Sequence, residues 1–131
     1  MLKHVLAIAG YIVATFATQA MSHFVVFKAH YDAMTIMKPD PDFALGIASM
    51  VIQGAVLSFV YARSSFSSAG LGGALRLSWL LGAFLVSYIA LAEAAKYAVP
   101  FVGSWIGVEA LAGAVQFTLA GVLLWQAHLR G

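Results

Sequence analysis

The chain reads as an all-α integral membrane protein, a four-helix bundle of up-down topology, and three observations predict it. Of its 131 residues, 63% are hydrophobic and only 9% charged, whereas a soluble domain carries about 25% charge. Four long apolar runs, residues 5–27, 43–62, 74–99 and 102–127, are each long enough to cross a hydrocarbon core of about 30 Å at about 1.5 Å per residue. The segments between them are too short for a soluble domain, so residues 1–131 form a single transmembrane domain. With no Cys there is no disulfide, thiolate metal site or cysteine nucleophile. The net charge is only +2 and the seven basic residues are scattered, so no nucleic-acid patch exists.

Each element can be justified in turn. Lys3, an apolar run and "ATQA" together resemble a signal peptide, but the run continues to Phe27, longer than a signal core, and predicts a retained first helix. Gly10, Ala14, Thr18 and Ser22 recur at a spacing of four, a small-residue line that lets helix backbones approach in lipid. The loop "KAHYDAMTIMKPDPD" stops this helix, because Pro39 and Pro41 lack amide donors and push the residues before them toward extended geometry. Its apolar residues Tyr31, Met34, Ile36 and Met37 suit a turn lying along the interface. Asp42 is placed to cap the second helix. "RSSFSSAGLGG" reads as a flexible loop. Ala90, Ala94 and Ala98 form a second small-residue line, and Pro100 divides the third helix from the fourth.

Lys3, Arg63, Arg76 and Arg130 fall on one side of the predicted helices, against Lys28, Lys38 and Lys96 with all five acids on the other. Short cytoplasmic loops retain positive charge, so both termini are expected to be cytoplasmic.

Polar residues at membrane depth are the candidate site. Gln19, His23, Glu93, Lys96, Glu109 and Gln116 fall in the outer half of the predicted bundle, with Gln53 near its middle. A central charge costs about 2.5–3.5 kcal/mol to insert, so such groups should face one another or a wet cavity, and one shared polar cluster is expected. Each also has a simpler reading. Lys96 can extend to water and pair with Glu93 three residues away; Glu109, near the start of its helix, gains from the positive helix end while staying near water. Gln53 and Gln116 can bridge helices, and His23 can be a satisfied interior residue. Tyr11, Tyr88, Trp79, Trp105 and Trp125 read as interface anchors and packing.

No cofactor is expected. His4 and His128 share a membrane face but sit at helix ends, unsuited to hold a haem. His23, Glu93 and Glu109 have metal-donor chemistry without a motif, and Lys96 nearby would oppose a cation, so no metal site is assigned. No nucleophile and base form a recognisable pair, and Tyr31 and Asp32 at interface depth lack an evident partner.

The segments "VVFKAHYDAM", "KPDPDFALGIASMVIQGAVLSFVY", "AEAAKYAV" and "SWIGVEALAGAVQFTLAGVLL" resemble a family of small four-helix bacterial membrane proteins of unknown function, over most of the chain. The resemblance implies that Tyr31, Pro41, Gly46, Gln53, Gly54, Ala95, Lys96, Trp105, Glu109, Gln116 and Phe117 occupy the family's characteristic positions, with Asp40 matching in kind only, where Glu is usual. It implies the bacterial inner membrane and the fold, and no activity. The small multidrug resistance transporters share size and helix count, but their essential acid lies on the first helix, which here has none.

Two functions emerge as expectations. The first is a non-enzymatic accessory or interaction subunit of a membrane complex, partnered by lipid and by other membrane subunits or further copies of itself. The second is a proton-linked carrier or small-lipophile binder using His23, Glu93, Lys96 and Glu109, with Gln19 beside them and Gln53 and Gln116 at the base. A lipid-modifying enzyme built on Tyr31 and Asp32 is a third, weaker reading.

Overall fold

The computed structural model describes all residues, Met1–Gly131, and the chain is helical with no strand. Helix α1 spans Leu2–Val26, the short α2 Lys28–Asp32, α3 Phe43–Arg63, α4 Ser65–Lys96 and α5 Val102–Arg130. All but α2 are long and apolar enough to cross a membrane, consistent with a multi-pass membrane protein.

Helix α5 is the centre of the assembly. It packs against α1 on one side and α4 on the other, while α3 lies on α1 and meets α4 only slightly. Burial runs in the same order: 44% of the apolar window of α5 is buried against 17% of that of α3, most of whose surface stays exposed. Neighbours run antiparallel, since His4 meets His128, Gln19 meets Gln116 and Ser78 meets Phe117. The ends of the chain therefore lie together, with Gly131 against Lys3.

Local chemistry explains where the helices start and stop. Asp42 caps α3 as its sequence suggests, its Oδ1 accepting from the Leu45 amide at 3.1 Å. The segment that reads as a flexible loop instead opens α4. Ser65–Ala69 forms a 3-10 turn, in which the Ser67 and Ser68 hydroxyls donate to the carbonyls of Ser64 and Ser65. Gly70 then takes φ +59°, a region open to glycine and costly for other residues, and regular helix resumes directly. Ser and Gly here build a turn rather than a tether. Helix α4 also ends at Lys96, short of the expected residue 99, because Tyr97 is extended ahead of Pro100.

Two helices carry a π-helical turn, Ser22–Val26 in α1 and Tyr88–Glu93 in α4. Each shifts the phase of the residues after it. Beyond the first, the chain breaks at Phe27 and α2 folds back so that Tyr31 and Met34 pack with Val99, Trp105 and Val108 in a small core of their own. Along the second, the expected line of small residues is broken: Ala90 is buried but Ala94 is only half-buried and Ala98 exposed. The larger core, including Tyr11, Leu57, Tyr61, Leu77, Phe117 and Leu124, holds the long helices together.

The line Gly10, Ala14, Thr18 and Ser22 faces inward, with Ala14, Thr18 and Ser22 buried. Close approach is tightest between α4 and α5. A Cβ on Gly82 would stand 2.5 Å from Phe117 Cγ, and one on Gly113 would collide with Val86 Cγ2. Gly82→Ala should therefore lower stability by about 1–3 kcal/mol through overpacking, seen as a lower thermal midpoint in detergent. Gly46→Ala, with nothing within 4 Å of the added methyl, should leave that midpoint unchanged or raise it.

Candidate functional site

The centre of the polar site is Gln116, 4% exposed on α5. Its Oε1 accepts from Gln19 Nε2 at 2.9 Å; its Nε2 donates to Thr15 Oγ1 at 3.1 Å and reaches the Tyr11 hydroxyl at 3.5 Å. Tyr11 in turn donates to Gln53 Oε1 on α3 at 2.7 Å, and Gln53 Nε2 donates to Ser49 Oγ at 2.9 Å. One ladder of hydrogen bonds thus joins α1, α3 and α5. In lipid no water can replace such partners, so the amides and hydroxyls must satisfy one another.

A second polar group closes the end of the bundle beside α2. The His23 and Tyr31 rings stack, 3.7 Å apart and 14° from parallel. His23 Nδ1 lies 2.9 Å from the Gln19 carbonyl, which only accepts, so Nδ1 carries the hydrogen. Tyr31 donates to Glu109 Oε1 at 2.7 Å, and the two residues are 4% and 8% exposed. Burial pushes the Tyr31 phenol well above its ordinary range, and donation to Glu109 pushes it further; the neighbouring Ser22 hydroxyl opposes the shift only in part. Glu109 therefore does not sit near water as its place in the helix suggests. It is roofed by α2, because the π turn and break after α1 bring Tyr31 over it. Trp105, read from the sequence as an interface anchor or packing residue, is buried and donates to the Ile89 carbonyl at 3.2 Å, supplying a partner within the π turn of α4.

Glu93 and Lys96 stand apart from these groups. The expected ion pair between them is absent. Lys96 Nζ donates instead to the Tyr88 hydroxyl at 2.6 Å and lies over the Tyr88 ring at 4.6 Å, while Glu93 makes no side-chain hydrogen bond and is half-buried. The π turn between Tyr88 and Glu93 brings Tyr88 within reach of a lysine eight residues on. Asp32 and Tyr31 do have partners: Asp32 forms the chain's one ion pair, an exposed one with Lys28, and takes no part in the contact between Tyr31 and Glu109.

Some groups escape a reading of the sequence. Tyr11 is 2% exposed and part of the ladder rather than an anchor at the interface. The signal is present, because Tyr11, Thr15, Gln19 and His23 recur at a spacing of four and share one face of α1. At the opposite end, His4 and His128 do meet, through Ser58. His4 Nδ1 lies 2.8 Å and His128 Nε2 3.0 Å from Ser58 Oγ. A hydroxyl has one hydrogen, so Ser58 donates to one ring and accepts from the other.

The chemistry open to these groups is narrow. Ser58 is completely buried between its histidines, out of reach of a substrate. No three His, Asp or Glu side chains gather to hold a metal ion. The ladder itself consists of amides and hydroxyls, which carry no charge to pass on. No family model, curated protein or solved structure matches the chain, so the site is read from its own geometry.

Gln116→Leu should leave Gln19 and Thr15 without partners and cost about 1–3 kcal/mol, measured as a lowered unfolding midpoint in detergent. Gln53→Leu, at the partly exposed end of the ladder, should cost less. Tyr31→Phe should destabilise the protein at neutral pH by a similar amount, since it strips the buried Glu109 of its donor. The raised phenol contributes stability that is fully present below about pH 10, the ordinary tyrosine value, and is lost as pH climbs toward the folded-state value. The gap between wild type and Tyr31→Phe should consequently narrow above about pH 10; a gap that widens there contradicts the assignment.

Proposed function

We propose that the chain is a non-enzymatic accessory subunit of a membrane complex in the bacterial inner membrane, of the small four-helix kind its motifs resemble. Both termini are assigned to the cytoplasmic face, where Lys3 and Arg130 lie near one end, Arg63 closes α3 at its joint with α4, and Arg76 stands further along α4.

The observation that carries this reading is the outer face of α5. Gly103, Gly107, Ala110 and Ala114 are all exposed and recur at helical spacing on the side opposite Trp105, Glu109 and Gln116. No atom lies within 4 Å of a Cβ placed on Gly103 or Gly107. Two bare glycines weaken an isolated helix by about 1 kcal/mol each, and such a smooth face is what a neighbouring transmembrane helix packs against. A shallow groove of about 330 Å³ adjoins it, lined by residues that include Trp79, Ala83, Val86, Ala110 and Ala114. The small-residue line on α1 supports no such role, because the chain uses it internally.

The proton-linked carrier draws less support. Gln19, Gln53 and Gln116 are engaged with one another and with Tyr11 and Thr15, an arrangement that clamps helices, and Glu93 and Lys96 do not join it.

Gly103→Leu and Gly107→Leu provide the test. The isolated chain should keep its fold and gain up to about 1 kcal/mol per site from helix propensity, while its association with a partner subunit or a second copy in mild detergent is lost. A wild-type protein that purifies only as a free monomer, or association untouched by both variants, removes the support for this reading.

A further inference from the structure

Every acidic side chain lies toward the end of the bundle that α2 closes: Asp32, Asp40 and Asp42 between α1 and α3, Glu93 near the end of α4, and Glu109 in the first third of α5. The opposite end, where Gly131 lies against Lys3, has none. It carries instead the bridge from His4 on α1 through Ser58 on α3 to His128 on α5, with contacts of 2.8 and 3.0 Å. The two imidazoles stand edge to face, their centres 5.6 Å apart. Tyr61 packs on His128 from α3 with its ring 4.9 Å away, and its hydroxyl donates to the Gly70 carbonyl of α4 at 3.5 Å. Of the charges around the bridge, Lys3 and His4 act on His128. Arg63 is turned onto the Phe59 ring, and Arg76, Arg130 and the Met1 amino end are exposed. The only negative group near by is the Gly131 carboxylate, beside Lys3.

The first turn of α1 has little else to hold it. No side chain caps it and no acid stands in it. Leu2, Val5 and Leu6 are exposed, and packing into the core begins only at Ala7. His4 makes the one side-chain hydrogen bond of the first six residues.

The bridge also limits the protons it can hold. Ser58 Oγ has a single hydrogen, so the ring that takes it must present a bare nitrogen and be neutral. As built, the bridge therefore accommodates one imidazolium and not two. A second proton would aim two N–H groups at one oxygen and force the hydroxyl of the fully buried Ser58 to turn back to its own helix. It would also set two positive rings closer together than the screening length of about 8 Å at physiological salt. No Asp or Glu is there to compensate them. Both rings are half-buried, so water reaches their edges and can deliver the protons.

We propose that the bridge from His4 through Ser58 to His128 is an acid-released clamp: at neutral pH it ties the first turn of α1 to α3 and α5, and protonation of both rings frees that turn and parts the chain ends. The device is independent of the subunit contact on the outer face of α5, which lies on the same helix but involves neither histidine.

The chain has no Cys, so spin labels can be placed on Leu2→Cys and Leu129→Cys alone, at positions 58% and 66% exposed. Their separation is measured by pulsed electron resonance in phosphatidylcholine liposomes between about pH 8 and about pH 5, a range that spans ordinary imidazole titration near 6.5. The distance should be short and narrowly distributed at the upper pH, then lengthen by about 5 Å, one helical turn, at the lower. His4→Gln and His128→Gln, each leaving a neutral side chain able to bond Ser58 and only one imidazole, should stay closed throughout. Should these variants misfold, nitrogen-15 resonances of the four histidines in the labelled parent report ring charge directly. His4 and His128 should both become imidazolium over the pH range in which the ends part. An unchanged distance across that range overturns the proposal, as does a response that survives in both glutamine variants. Ends that part while either ring is still neutral, or that stay closed with both charged, overturn it equally.

Discussion

Gln116 has no water to fall back on, and the arrangement of three helices depends on that. Its carbonyl and amide meet Gln19, Thr15 and Tyr11 on α1, and Tyr11 carries the connection to Gln53 on α3. Apolar side chains are nearly indifferent between lipid and another helix, so they do little to choose a register. Polar groups do choose, because sliding α1 by one turn against α5 would leave several of them unpaired. The core packing of Tyr11 against Phe117, and of α5 against α4 through Gly82 and Gly113, is then closed around that register.

The π-helical turns govern the end of the bundle. A regular helix through Ser22–Val26 would carry the chain straight on into the interface; the wider turn and the break at Phe27 instead return Tyr31 over Glu109 and stack it on His23. The matching turn in α4 leaves the Ile89 carbonyl to be met by Trp105 and places Tyr88 under Lys96. An acid near a helix start thus becomes buried, and a lysine near a helix end finds a phenol rather than a carboxylate. Functionally, this divides the polar residues into those that hold the helices and those that stay at the surface. The outer face of α5, with Gly103, Gly107, Ala110 and Ala114, is left exposed.

Much of this is legible in the residues themselves. Length, hydropathy and charge scarcity predict the long helices, and the Asp42 cap is expected from its place before an apolar run. Gln53 and Gln116 read as bridging candidates, because an amide at membrane depth has few alternatives. Tyr11 does not, since an aromatic with a hydroxyl suits both an interface and a core, and only its spacing of four from Thr15 and Gln19 distinguishes them. The Ser and Gly segment before α4 reads as flexible yet is ordered, because serine hydroxyls bonded to nearby carbonyls can stabilise a tight turn as readily as they can solvate a loop. Glu93 and Lys96 defeat the expectation of a pair because regular helical spacing does not hold across a π turn.

By itself the sequence determined that long apolar helices form, where prolines and caps separate them, and which polar groups cannot be left alone in lipid. These are local matters, decided by composition and by hydrogen-bonding needs within a few residues. Only the tertiary structure decided who satisfies whom: that Gln116 takes Gln19, Glu109 takes Tyr31, and Lys96 takes Tyr88. Such pairings depend on helix phase and on antiparallel register, and one inserted residue in a π turn alters both without leaving a clear mark in the pattern of residues.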